Sequence, residues 1–278
     1  MQQVGVVQQV FRYPVKSMLG ESLNEFEIGP NGVIGDRAWA IRETSGRIAT
    51  AKKFANLLDF QAAYESRPQP DLSAPVRIIM PDGRSLHAAD HDASQILSTA
   101  FGRPVTLQQY RPDERSHGEI DPQTIFGDVG VERVMPGLTT ATMPDSFALL
   151  KGAFFDSATI HFLTTGSMAH LRSLIGEDAK IDARRFRPNI VIDTGARSNG
   201  FVEDEWLDGV LQIGERTRIV SMQKALRCVM TTHRQSDLPR DLRVLRATAQ
   251  HHAAKLGVFA SIGAPGVVRI GDPVWLTN

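Results

Sequence analysis

The sequence predicts an α+β chain that is predominantly β: a smaller, mostly β N-terminal unit, then a sheet-rich or barrel-like unit with a few helices. Three observations carry this expectation. Short runs rich in β-branched and aromatic residues recur in both halves, separated by turn chemistry. Helical periodicity is confined to three segments. Finally, Gly209-Val210-Leu211-Gln212-Ile213-Gly214-Glu215 is echoed by Gly266-Val267-Val268-Arg269-Ile270-Gly271-Asp272. Each reads as a strand, a tight glycine turn and a second strand, hence two hairpins of one sheet or barrel.

In chain order, residues 4–15 form a first strand that runs into Pro14, which places it at the edge or end of a sheet. Further strands are expected at Glu25–Ile28, Ala38–Arg42, Val76–Met80 and Val105–Tyr110, with a turn at Pro81-Asp82-Gly83. Asp92–Phe101 reads as a helix stopped by Gly102. The first unit therefore spans 1–110. Pro, Gly, Asp and Thr then dominate 111–145, read as a connecting loop. The second unit, 146–278, opens with a strand at Ala158–Leu163 and a helix at Met168–Leu174 stopped by Gly176. A strand follows at Ile190–Asp193, and Arg240–Leu256 has apolar residues at helical spacing.

Composition narrows the function classes. The chain has 278 residues, with 31 Lys plus Arg against 31 Asp plus Glu, so no overall field favours nucleic acid or an anionic membrane. Mean hydropathy is -0.18 and no apolar run is long enough to span a bilayer. The N-terminus lacks a secretory pattern and there is one cysteine, so a reducing cytoplasm is the expected location.

That cysteine, Cys228, sits in Arg227-Cys228-Val229-Met230-Thr231-Thr232. A lone thiol makes no internal disulfide, and it remains a core filler, a nucleophile or a single soft ligand to a metal with other ligands elsewhere. In Arg184-Arg185-Phe186-Arg187-Pro188-Asn189, extended backbone would put Arg185, Arg187 and Asn189 on one face. Two guanidinium forks beside a carboxamide suit a phosphate and a heterocycle edge; the plainer reading is a solvated edge strand. Thr164-Thr165-Gly166-Ser167 at a helix start could offer N–H groups and hydroxyls to an anion, or be an ordinary cap. Tyr13-Pro14-Val15-Lys16-Ser17 and Gly35-Asp36-Arg37 each set a cation beside turn residues. The histidines lack the spacing of a zinc site, and no P-loop, dinucleotide fingerprint or nucleophile elbow is present.

The order Tyr-Pro-Val-Lys-Ser, Gly-Asp-Arg, Phe-Arg-Pro-Asn-Ile, Arg-Cys-Val-Met-Thr-Thr and Val-Arg-Ile-Gly-Asp-Pro-Val resembles the MOSC family, named for the C-terminal domain of molybdenum cofactor sulfurase. The form resembled carries an N-terminal MOSC β-barrel domain, as in its amidoxime-reducing and hydroxylaminopurine-resistance branches. The resemblance implies a bound molybdenum–molybdopterin cofactor. It makes Cys228 the molybdenum ligand and the catalytic centre, with cofactor contacts from Lys16, Ser17, Arg37, Arg187 and Asn189, and more loosely Thr164 and Thr165. Arg185, from the alternation above, joins them. Arg227 does so only through its backbone or a local bend, since extended backbone would turn its side chain away from Cys228.

This chain departs from its relatives in having Met18 after Lys-Ser, and His233-Arg234-Gln235-Ser236-Asp237 where an Asp-Pro turn is frequent. No ferredoxin-type cysteine cluster is present, so electrons are expected from a separate flavin or iron–sulfur reductase. The implied activity is reduction of small N-hydroxylated compounds. The alternative is a cofactor carrier or sulfur-transfer protein using a Cys228 persulfide. Both require the sulfur and the distant cations to share one cavity.

Overall fold

The computed structural model describes residues 1–71, 74–114, 116–119, 121–130, 132, 146–150, 152–195 and 200–277. Its centre is a closed barrel of seven strands. Around the barrel run Ile190–Asp193, Ile160–Thr164, Lys255–Ala264, Thr217–Leu226, Val210–Ile213, Pro273–Thr277 and Gln2–Arg12, and the last pairs back to the first. All neighbours are antiparallel except Ile160–Thr164 with Ile190–Asp193. A parallel pair needs a crossover, which here contains the helix Thr165–Ile175. Val4, Val7, Val10, Phe162, Ile192, Leu211, Ile219, Val258 and Val274 fill the interior.

The first strand is therefore not an edge: Gln2–Arg12 is paired on both sides and closes the barrel. Its inward residues fall at 4, 7 and 10, a step of three, because register shifts lie between Gln3 and Gly5 on one side and Val7 and Gln9 on the other. Each bulge inserts a residue and moves the inward face by one. Gly5 makes closure possible, since a Cβ there would lie 2.4 Å from the Asp193 carbonyl oxygen.

A second core forms around Val15, Met18, Ile41, Leu58, Ile78 and Leu97. It is bounded by the pairs Trp39–Glu43 with Val105–Gln109, by Gln61–Tyr64, Val76–Ile79 and Ser85–His87, and by the helix Ala93–Phe101. Of the segment 111–145, residues 115, 120, 131 and 133–145 lie outside the described residues. Within the remainder, His117–Glu119 pairs with Ser146–Ala148, and Pro122–Phe126 is a short helix. No helix among the described residues is long and apolar enough to cross a membrane.

Two further expectations need correction. Val210–Ile213 and Thr217–Leu226 do form a hairpin, but Gly266–Arg269 leaves its neighbour and pairs with Glu25–Gly29. The shared glycine turn fixes local chain reversal and leaves the pairing partner to tertiary packing. The last helix covers Arg243–His252, not Arg240–Leu256. Ala253 and Ala254 take left-handed backbone (φ 48° and 54°), and Leu256 is buried from the strand Lys255–Ala264.

Candidate functional site

Beside the barrel lies a cavity of about 360 Å³ that brings together Lys16, Ser17, Arg37, Arg185, Arg187, Asn189, Arg227 and Cys228. Eight of the ten residues singled out above thus share one wall system, and Thr164 and Thr165 do not. Six cations line it, Lys52 being the sixth, against one carboxylate, Asp156. In a chain of zero net charge this is a concentrated positive site.

Three of the loops that line the cavity, those of Lys16–Ser17, Arg37 and Arg185–Arg187, each contain strained backbone. Among the described residues seven non-glycine positions have positive φ, and Ser17 (67°), Arg37 (52°) and Arg187 (57°) are three of them. Left-handed backbone costs an ordinary residue about 1–2 kcal/mol. Such strain persists only where surrounding contacts enforce it, and it clusters at functional sites. The enforcing group is Asp36, 2% exposed. It accepts the Tyr13 N–H (2.7 Å), the Asn189 Nδ2 amide (3.0 Å) and the Arg37 guanidinium. The Gly-Asp-Arg and Phe-Arg-Pro-Asn motifs are therefore tied together by an aspartate that itself does not line the cavity.

Asn189 is fully engaged by the chain. Its Oδ1 accepts the His161 N–H at 3.1 Å while Nδ2 also reaches the Phe11 carbonyl at 3.4 Å. It anchors the cavity wall and has little left to offer a heterocycle edge. Arg187 donates to the Met18 carbonyl (2.7 Å) and stacks 4.1 Å over the Tyr13 ring, while its second amino group, Nη2, is buried with no hydrogen-bond partner among the described residues. Burial lowers its pKa to about 10, as does neighbouring Arg37.

The expected alternation of Arg185, Arg187 and Asn189 along a strand is not what gathers them. Ala183–Arg185 is a 3₁₀ turn and the strand begins at Ile190. Arg185 spends its donors on the carbonyls of Lys180, Thr231, His233 and Pro239 (2.6–3.3 Å). It thereby fixes the turn Val229–Thr232 that follows Cys228. The strand ends at Leu226, before Arg227 and Cys228, and both residues line the cavity. Arg227 donates to the Ala225 and Phe186 carbonyls, each at 3.0 Å.

Thr164 and Thr165 serve the helix Thr165–Ile175 instead. Thr164 Oγ1 caps it by accepting the Ser167 N–H (3.1 Å), and it donates to Glu203 Oε2 at 2.5 Å. Ser167 Oγ donates to the same oxygen, and Thr165 Oγ1 donates to Asp193. The anion this helix start attracts is the chain's own Glu203, a buried carboxyl whose pKa burial pushes up.

Sequence reading missed Lys52 and Asp156. Asp156 bridges the two lysines, with Oδ1 2.5 Å from Lys16 Nζ and Oδ2 3.2 Å from Lys52 Nζ. Burial pushes the Asp156 carboxyl up, but the two ammoniums outweigh it and hold it well below the usual range. Neither residue stands in a recognisable motif; the dibasic Lys52-Lys53 was the only signal. His161, also in the wall, is kept neutral by burial and by Arg227.

Lys16 titrates within reach of experiment. Burial lowers its pKa from 10.5 to about 8, partly offset by Asp156. The folded value lies below the unfolded one, so the ammonium is charged at pH 7 and is lost as pH rises through about 8. Sulfate, whose charge is constant over this range, should therefore bind several-fold more weakly at pH 9 than at pH 7, the loss of one nearby charge being worth about 1 kcal/mol. Titration calorimetry checks this; equal affinity at both pH values contradicts it.

The MOSC domain matches residues 150–275, and the MOSC N-terminal beta barrel domain matches residues 4–104. Mitochondrial amidoxime reducing component 2 of Rattus norvegicus is 25% identical over 308 residues, covering 99% of this chain and 84% of that protein. Mitochondrial amidoxime-reducing component 1 of Homo sapiens is 24% identical over 317 residues, with coverage of 99% and 84%. Molybdenum cofactor sulfurase of Solanum lycopersicum is 23% identical over 215 residues, 70% of this chain and 25% of that protein. The crystal structure of the YUAD protein from Bacillus subtilis shares the fold, with a TM-score of 0.51 at 8% identity over 98% of this chain and 94% of that one. With both domains matched in succession, the chain belongs to the MOSC family, in the form that carries an MOSC N-terminal beta barrel domain.

Proposed function

We propose that this protein binds a molybdenum–molybdopterin cofactor and reduces small N-hydroxylated compounds with electrons from a separate flavin or iron–sulfur reductase. The observation that carries the reading is the meeting of the single cysteine with six cations in one cavity. The residues suit the group. Its phosphate tail is anionic, and Lys16, Arg37 and Arg187 offer donors, Arg187 Nη2 having no partner among the described residues. Its metal is soft, and Cys228 is partly exposed. Among the described residues no three His, Cys, Asp or Glu side chains cluster, so a metal at Cys228 would draw its remaining ligands from a cofactor.

When bound, the cofactor supplies two-electron oxygen-atom chemistry. The chain would supply Cys228 as the sulfur ligand and would hold the phosphate with Lys16, Ser17, Arg37 and Arg187. Arg185 and Arg227 brace the turn that aims the sulfur, and Asn189 braces the wall. In the net reaction the N–O bond of the substrate breaks, the hydroxyl oxygen takes up one proton and leaves as water, and the nitrogen takes up the other. Two electrons come from the reductase and two protons from solvent.

Protein expressed in a molybdenum-replete host and reduced chemically should convert an N-hydroxylated base to the base. No conversion by protein of confirmed molybdenum and pterin content would overturn the reading. If Cys228 then took up labelled sulfane sulfur from a low-molecular-weight persulfide, releasing the donor's thiolate, the sulfur-transfer alternative would replace it.

A further inference from the structure

We propose that His161, and not Asn189, is the side chain that hydrogen-bonds the heterocycle edge of the cofactor. This deepens the cofactor reading above and rests on it. His161 belongs to the strand Ile160–Thr164, where Ile160 and Phe162 face the barrel interior, so alternation turns the imidazole outward into the cavity wall. Asn189 pins its backbone from both sides. The His161 N–H donates to Asn189 Oδ1 at 3.1 Å, and the His161 carbonyl accepts the Asn189 N–H at 2.7 Å. The ring meets Phe259 edge-on, with centroids 5.5 Å apart, and the Arg227 guanidinium lies 5.6 Å over that same Phe259 ring. Gly257 makes the room: its φ is 75°, and a Cβ there would fall 2.5 Å from His161 Nε2.

His161 is 5% exposed, and its Nε2 has no hydrogen-bond partner among the described residues. An unpaired polar atom at such burial is costly, whereas an apolar side chain beside Phe259 would carry no such cost. A ligand that supplies the missing partner removes it. The rest of the wall decides which kind of ligand that is. The guanidinium and ammonium groups only donate, so they suit a phosphate and leave the N–H groups of a heterocycle unmet. Asn189 Oδ1 is already taken by the His161 N–H, and the Asp156 carboxylate is held by two lysines. The imidazole, kept neutral by burial, retains a lone pair beside one N–H, so it can meet either a donor or an acceptor. Phe155 and Phe259 line the same cavity and offer apolar faces to a planar ring. A pterin suits this wall, because its edge carries both N–H donors and carbonyl and ring-nitrogen acceptors.

The test compares wild type, His161→Leu and His161→Gln by two readouts that need no turnover. The first is retention of pterin by protein from a molybdenum-replete host, followed by the fluorescence of the released, oxidised pterin. Its half-time of loss on dilution should shorten about tenfold in His161→Leu, the worth of one buried hydrogen bond, and largely recover in His161→Gln, whose amide keeps a donor and an acceptor. The second is thermal unfolding. Made in a host without molybdopterin, His161→Leu should melt no lower than wild type, since leucine removes an unpaired nitrogen, whereas the rise in Tm that the cofactor brings should shrink. A leucine variant that melts well below wild type without cofactor, or does not fold, overturns the assignment in favour of a purely structural histidine. Equal pterin retention in wild type and His161→Leu overturns it too and leaves the cofactor reading standing; a raised KM for the N-hydroxylated base in that variant would then turn the imidazole toward substrate. Wild type that holds no pterin overturns the cofactor reading and the assignment together.

Discussion

Cys228→Ser is expected to lower turnover of an N-hydroxylated base by more than about 100-fold, because even groups one shell removed from a metal cost 10–100-fold when lost. The fold should survive. Serine is close in size, the thiol is only partly buried, and the following turn is held by Arg185 and by Thr231 Oγ1, which donates to the Cys228 carbonyl at 2.9 Å. The cations that would hold the phosphate are untouched, so much of the pterin should remain bound. Steady-state kinetics and fluorescence of the released pterin check both halves. Unchanged turnover would remove the sulfur from the chemistry.

Asp36→Ala carries the largest expected loss of stability, about 3–5 kcal/mol, because removing one partner of a buried ion pair strands the other. The Arg37 guanidinium, the Tyr13 N–H and the Asn189 amide would all lose their shared acceptor. Those three groups belong to the loops carrying the positive-φ residues, so the cavity should loosen along with the fold. Asp36→Asn keeps the shape and one acceptor and should lose less. Urea unfolding measures the difference; a change below about 1 kcal/mol for Asp36→Ala would contradict the keystone role.

The balance of strands and helices was legible because β-branched runs and turn chemistry are local. Ile190–Asp193 and the helix Ala93–Phe101 follow from such signals almost to the residue. A barrel-like unit was expected, but its closure by the first strand was not legible. It depends on Gln2–Arg12 meeting a strand nearly the whole chain away, and its two bulges erase the alternation that would reveal an inward face. The partner of Gly266–Arg269 was hidden for the same reason.

The grouping of cations around Cys228 came from the order of motifs, whereas the reasons for their placement came from tertiary contacts. Asp36 stood in plain view inside Gly-Asp-Arg, yet its buried role depends on Asn189 arriving from 153 residues away. Thr164 and Thr165 misled because a cap that binds an internal carboxylate has the same sequence as one that binds a ligand. Lys52 and Asp156 stood in no motif, and the dibasic Lys52-Lys53 was their only mark in the sequence. Each gains its meaning from the other across the cavity.

X-ray absorption at the molybdenum edge, on wild-type and Cys228→Ser proteins purified from a molybdenum-replete host, probes the sulfur–metal bond itself. The predicted result is molybdenum in both, with one fewer sulfur neighbour in the serine variant. Identical sulfur shells in the two proteins, or wild type that holds pterin but no molybdenum, would contradict a metal centre at Cys228.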